Sequence, residues 1–310
     1  MNNLEPQNQT KLHGLDKFMT ELIELNFQKN LPKKILLSGP KGIGKSTLAY
    51  HFINFVLSQN EENSYNLKNF EIDPNSRVFK TILNKSNPNL ILIDIESDKK
   101  SIDINQIRKL ILNLNKSSFN DKPRFVLIDN VEYLNNNSVN ALLKVLEEPN
   151  FNIFFLLINS NKKLLPTLSS RCINFRINLS YNESQLITEK ILDTKLNEVI
   201  STDLLNHYST PGNTYNLVKF GEINNYDLIN LDLKNLLKKL IKDNYYKKNY
   251  HIRNIIFELI EFYFNKINIP STKKIFDKYS YFLKRVSNTN IYNLDDESLF
   301  LEFNEEILNG

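Results

Sequence analysis

Three of this chain's seven glycines, Gly39, Gly42 and Gly44, fall within six positions. Glycine makes up about 2% of the 310 residues, where ~7% is usual, and alanine occurs only at Ala49 and Ala141. A glycine cluster in so glycine-poor a chain needs a physical reason. The segment Gly39-Pro40-Lys41-Gly42-Ile43-Gly44-Lys45-Ser46 matches the phosphate-loop spacing G-x-x-x-x-G-K-[ST] at each required position. Ile35–Leu37 before it reads as a short buried strand, and the amphipathic stretch through Leu57 as a helix. In that context glycines let the backbone turn its N–H groups around phosphates. The helix start adds its positive end. The pattern predicts ATP bound by residues 39–47, Thr47 included. Lys45 would reach the β- and γ-phosphates, and the Ser46 hydroxyl would ligate Mg²⁺.

Four further apolar runs read as strands: Leu90–Ile95, Phe125–Ile128, Ile153–Ile158 and Ile173–Ile177. Residues 102–114 carry a helical stripe behind a candidate N-cap, Asp103, and Ser138–Glu148 reads as a helix closed by Pro149. Strands alternating with helices predict an α/β domain with a parallel five-stranded sheet covered on both faces. The strand signal stops near residue 179. Residues 181–220 read as three short helices broken at Pro211-Gly212, and 223–310 as helical throughout. The predicted division is a P-loop domain over 1–178, a small helical lid over 179–220 and a helical C-terminal domain over 221–310.

The run Phe125–Ile128 ends in Asp129, a second Mg²⁺ contact that acts through the nucleotide's ion. ATP-hydrolysing proteins of this class usually carry Glu at the next position; here it is Asn130, which cannot accept a proton. Glu132 has two readings, a substitute for that Glu or a solvated carboxylate, and strict strand alternation aims it elsewhere. At the end of the fourth strand, Asn159 or Ser160 is placed either to contact the γ-phosphate or simply to turn the chain.

Composition removes several classes of function. A single cysteine, Cys172, rules out internal disulfides and a cysteine-built zinc site, and suits a reducing compartment. The N-terminal stretch is polar and lacks a signal-peptide core. The longest apolar run, Ile153–Ile158, is far short of a membrane span, so a cytoplasmic protein with no membrane partner is expected. Residues 221–310 hold 13 basic and 13 acidic side chains, a balance that fits helical packing better than direct DNA binding.

The stretches VNALLKVLEEP (139–149) and LLPTLSSRC (164–172) resemble the clamp-loader branch of the AAA+ family. So do Leu12-His13-Gly14, Leu31-Pro32 and Ile104-Asn105-Gln106-Ile107-Arg108. The likeness covers about residues 10–220 and is strongest to the delta-prime type of bacterial DNA polymerase III subunit. It implies a C-shaped protein whose third domain joins a collar of five subunits. The partners implied are the other clamp-loader subunits, the sliding clamp, and primed DNA through the complex. Arg171, in the Ser170-Arg171-Cys172 motif, would be an arginine finger acting on a neighbour's ATP. With seven arginines against 32 lysines, a guanidinium here suggests a need for its planar fork; the alternative is an ordinary ion pair. Cys172 reads as a small buried side chain.

Three departures qualify the likeness. Many delta-prime subunits carry four zinc-binding cysteines after the P-loop helix; residues 51–88 have none, so zinc is not expected. Some members have lost the phosphate loop, which is intact here. The second-sensor position, usually Arg or Lys, is Asn213. The reading is a delta-prime-type subunit with weak or no ATPase. The alternatives are a hydrolysing tau/gamma-type subunit or another AAA+ ATPase of replication or recombination.

Overall fold

A computed structural model describes residues 4–96, 99, 101–116, 119–147, 152–205, 207–247, 250–266, 273–292 and 294–309. The chain divides into two compact units, 1–187 and 188–310.

In the first unit the apolar runs form five strands: β1 (Lys34–Ser38), β2 (Leu90–Ile93), β3 (Arg124–Ile128), β4 (Ile153–Asn159) and β5 (Ile173–Arg176). All pairings are parallel, in the order β2-β3-β4-β1-β5. Six helices belong wholly to this unit: α1 (Asp16–Phe27), α2 (Lys45–Leu57), α3 (Arg77–Leu83), α4 (Ile104–Leu114), α5 (Asn136–Glu147) and α6 (Pro166–Ser169). A seventh, α7 (Tyr181–Leu192), contains the division between the units.

The strands read as continuous apolar runs because the period-2 alternation sends side chains into two cores. Leu36, Val126, Ile128, Phe155 and Leu157 pack with Ile107 and Leu110 of α4 and with Leu142 and Leu146 of α5. Their neighbours face the other way, where Phe125 meets Phe52 of α2 edge-on at 6.2 Å and stacks on Phe154 at 5.5 Å.

Helix α4 begins as its sequence requires. Asp103 accepts from the backbone N–H of Asn105 and Gln106, and the Gln106 side chain closes a capping box. Gln106 Nε2 also donates to Asp94 O at 2.8 Å, so one side chain ties the helix to the end of β2. The α5 cap comes from Asn135, whose Oδ1 accepts from Ser138 N at 2.9 Å. Glu148 and Pro149, expected to close that helix, lie outside the described residues. Residues 51–88 fold back on the chain start: Leu12 N donates to Phe70 O and Ile72 N to Thr10 O. There the Tyr65 hydroxyl and His51 Nδ1 share a buried 2.9 Å hydrogen bond.

The second unit is helical: α8 (Thr202–Leu205), α9 (Pro211–Ile223), α10 (Leu233–Lys242), α11 (Tyr250–Lys266), α12 (Lys273–Tyr292) and α13 (Asp296–Phe303). Pro211 is the first residue of α9, where its missing N–H has no intrahelical partner to lose. Leu196, Ile200, Leu204, Leu217 and Phe220 share one core with Leu236, Leu240, Ile256, Phe282 and Phe300. One division near 187 is thus seen where the sequence suggests boundaries near 178 and 220. Among the described residues no helix is long and apolar enough to cross a membrane.

Phe125 is fully buried between two aromatic rings, so Phe125→Ala should cost about 3–5 kcal/mol through lost transfer energy and a cavity. Urea unfolding checks this, with the exposed Leu112→Ala as a control that should change little.

Candidate functional site

The strand order brings the C-terminal ends of β2, β3, β4 and β1 into one row. Register fixes the row: Ile93 pairs with Ile128, Ile128 with Leu157, and Ser38 with Asn159. Asp94, Asp129, Asn159 and Gly39 therefore follow one another along the same sheet edge.

The phosphate loop spans that edge. Gly44 sits at φ 99°, a left-handed conformation that side-chain-bearing residues rarely adopt, and it ends the loop where α2 begins. At Gly39 the constraint is space: a Cβ there would meet Ile177 O at 2.5 Å. Ile43 is buried and anchors the loop from below, while Pro40 and Lys41 stand at its more open side and Thr47 on the first turn of α2. Gly39 N donates to Asn159 O at 3.3 Å, joining the loop to β4.

Lys45 is buried and donates to Gly39 O at 2.9 Å and to Pro40 O at 2.7 Å. Burial lowers its ammonium to about 8, against the opposing pull of the Asp129 and Glu132 charges. Ser46 Oγ donates to Asp129 Oδ2 at 2.6 Å. Burial also raises the Asp129 carboxyl, partly offset by that hydrogen bond, and the charge of Asp94 adds to the rise. A hydroxyl and a carboxylate side by side are hard oxygen ligands suited to Mg²⁺. The loop, Lys45, Ser46 and Asp129 are thus brought together as the spacing predicts.

Asn130 and Glu132 depart from strand alternation. Asn130 takes a left-handed φ of 56°, and Val131–Tyr133 forms a 3₁₀ turn. The Asn130 amide turns away from the loop and donates to Asp94 Oδ1 at 2.8 Å. Glu132 is turned inward: its Oε1 accepts from Ser160 N at 3.2 Å, and its Oε2 is buried with no donor among the described residues. The solvated-carboxylate reading of Glu132 is therefore corrected. Asn159 is also buried; its Nδ2 donates to Lys162 O at 3.0 Å and its Oδ1 has no described donor. Lys162 returns to Tyr133, donating to the hydroxyl at 2.6 Å with its ammonium 4.1 Å from the centre of that ring.

Arg171 lies at the other edge of the sheet. Two residues beyond it, Ile173 pairs with Ile35 near the start of β1. The four residue steps from Ile35 to Gly39 separate that level from the phosphate loop by about 13 Å along the strand. Its guanidinium holds Glu147 Oε1 at 2.9 Å and 2.5 Å and Thr167 O at 2.7 Å. This partly exposed pair is of the kind worth only ~0–1 kcal/mol. Cys172 is half-buried, and burial pushes its thiol up to about 11, so it is an inert packing residue. In the second unit Asn213 Nδ2 donates to Glu258 Oε1 at 2.6 Å.

Sequence reasoning missed Asp94 and Gln106 as parts of this edge. Asp94 carries the same signal as Asp129, an acid just past an apolar strand, but its partner Asn130 lies 36 residues away and is set only by register.

A parallel P-loop sheet of this order, with Ser46 against the acid ending β3, defines an AAA+-type P-loop domain. The chain belongs to the family described as DNA polymerase III, delta subunit, which it matches over residues 14–180. It is 32% identical over 139 residues to DNA polymerase III subunit delta' of Pseudomonas aeruginosa, covering 44% of this chain and 40% of that one. It is 31% identical over 183 residues to DNA polymerase III subunit gamma of Buchnera aphidicola subsp. Schizaphis graminum, covering 57% and 47%. A DNA polymerase III gamma subunit-related protein of Thermotoga maritima aligns over 93% of this chain and 92% of its own at a TM-score of 0.41 and 18% identity. The chain spans about half the length, or less, of the first curated relatives it matches.

Lys45 should make anion binding pH-dependent. Free Lys45 loses its proton near 8, and a bound polyphosphate favours the ammonium. Affinity for tripolyphosphate should fall as pH rises above about 8, with proton uptake on binding, which calorimetry in buffers of different ionisation enthalpy reads directly.

Proposed function

We propose that this chain is a clamp-loader subunit of the delta-prime type, which binds Mg-ATP and hydrolyses it poorly. The observation that carries the reading is the complete phosphate loop with Ser46 hydrogen-bonded to Asp129. Residues 39–47 would cradle the phosphates, Lys45 exchanging its two carbonyl partners for phosphate oxygens. Ser46 and Asp129 would hold the Mg²⁺, which neutralises charge on the phosphates. Asn159 would stand beside the γ-phosphate. Asn130 at the usual Glu position favours the delta-prime reading over a hydrolysing tau/gamma type, although gamma subunits are among the relatives.

The proposed organisation keeps a P-loop domain over 1–178, a lid over 179–220 and a collar domain over 221–310. The collar would assemble with the other subunits of a hetero-pentamer that loads the sliding clamp on primed DNA, in the cytoplasm. Arg171 would serve a neighbour's nucleotide. Its place at the edge opposite the loop supports action in trans, and its weak pairing with Glu147 can open at little cost. The free end of the guanidinium fork would then stabilise charge on transferring phosphoryl oxygens.

Lys45→Ala should weaken Mg-ATP binding strongly, since a cation and its phosphate contacts vanish; titration with a fluorescent ATP analogue measures it, and equal affinities contradict the site. Arg171→Ala should leave this chain's own nucleotide affinity within about threefold while slowing the DNA- and clamp-stimulated ATPase of the reconstituted complex at least tenfold. An unchanged complex with lost affinity in the isolated variant would place Arg171 in cis.

A further inference from the structure

We infer that Asp94 is a positioning residue for the Mg²⁺ of a bound nucleotide: through Asn130 it fixes the carboxylate of Asp129, and with it the Ser46 hydroxyl. The inference rests on the nucleotide-binding reading above. Four residues make one unbroken line of hydrogen bonds across the sheet edge. Asp94 Oδ1 accepts from Asn130 Nδ2 at 2.8 Å, the Asn130 backbone N–H donates to Asp129 Oδ1 at 2.8 Å, and Asp129 Oδ2 accepts from Ser46 Oγ at 2.6 Å.

The line is anchored at its far end. Asp94 Oδ1 also accepts from Ile95 N at 2.7 Å. Asp94 O accepts from Gln106 Nε2 at 2.8 Å, and Gln106 is the side chain that closes the α4 capping box. At the other strand, Asp129 N donates to Ile93 O at 2.9 Å, so the backbones of the two acids are tied as well. The middle of the line is where a tether is needed. Asn130 stands at φ 56°, in the left-handed region that asparagine enters more readily than most residues with a side chain. In that turn its N–H returns to the carboxylate of the residue before it. The amide bond to Asp94, 36 positions away, holds the turn from outside the strand.

The consequence falls on Ser46. A hydroxyl has one proton and two lone pairs. With its proton on Asp129 Oδ2, Ser46 Oγ keeps its lone pairs for a hard cation. A carboxylate free to rotate would not hold that proton in one direction, and the hydroxyl would then present no fixed lone pair. Outer partners of metal ligands typically change metal affinity by about 10–100-fold. What the line uses is the acceptor oxygen of Asp94. Its charge works against the ionised form of Asp129. Oxygen and charge can be separated by substitution: Asp94→Asn keeps an oxygen for the Asn130 amide, and Asp94→Ala removes it.

The test titrates full-length protein with a fluorescent ATP analogue, once in excess Mg²⁺ and once in EDTA. The ratio of the two affinities is the gain due to the metal. Wild type should bind more tightly with Mg²⁺. Asp94→Ala should cut the gain about tenfold, with its affinity in EDTA within about threefold of wild type, and Asp94→Asn should recover most of the gain. Asn130→Gly, which tolerates the left-handed turn but lacks the amide, should lose the gain as Asp94→Ala does, and decides the matter if Asp94→Ala unfolds. An Asp94→Ala variant with the wild-type gain overturns the inference. So does an Asp94→Asn variant that falls as far as Asp94→Ala, because a purely electrostatic role would move both alike. Wild-type protein that binds equally well with and without Mg²⁺ overturns it too and leaves the nucleotide site standing. Protein that binds no nucleotide overturns both readings.

Discussion

A buried ammonium organises the first unit. Lys45 sits at the start of α2, out of water, and its charge is sustained by two backbone carbonyls and by the carboxylates of Asp129 and Glu132. Desolvation is the larger influence, which is why the group sits near 8 rather than at its usual value. The anionic neighbours Asp129 and Glu132 oppose that loss and favour the charged form, the one that holds phosphate. The glycine-rich loop, the acid ending β3 and the inward turn of Glu132 all serve this one charge.

The carboxylates around it raise a problem of their own. Asp94 and Asp129 follow adjacent strands, and the charge of Asp94 disfavours that of Asp129. Asn130 eases this from both sides: its backbone N–H donates to Asp129 Oδ1 at 2.8 Å and its amide to Asp94. A glutamate at 130 would put a third negative charge against Asp94. The amide is thus a structural link between β2 and β3, and Glu132 stands on the 3₁₀ turn that follows.

The second unit solves a different problem. Its core is aromatic-rich, with Phe264, Phe282 and Phe303 in mutual edge and tilted contacts within 5.5–6.2 Å. Outside it, ion pairs such as Arg253 with Asp296 and Arg285 with Glu302 match the even balance of charges.

Much of the fold was legible in the chain itself. The five strands, the α4 cap at Asp103, the helical second half and the loop from Gly39 to Ser46 each depend on neighbours within a few residues, where period, capping and glycine conformation act. What the chain could not declare were relations fixed by strand register and by one irregular turn. Asn130 reaching Asp94, Ser160 donating to Glu132, and Arg171 falling at the edge away from the loop join residues 36, 28 and more positions apart. The left-handed φ at Asn130 broke the alternation that had pointed Glu132 outward. Local physics chose the elements; only their packing decided which polar atoms were buried together, because burial is a property of the assembled sheet edge and not of any single strand.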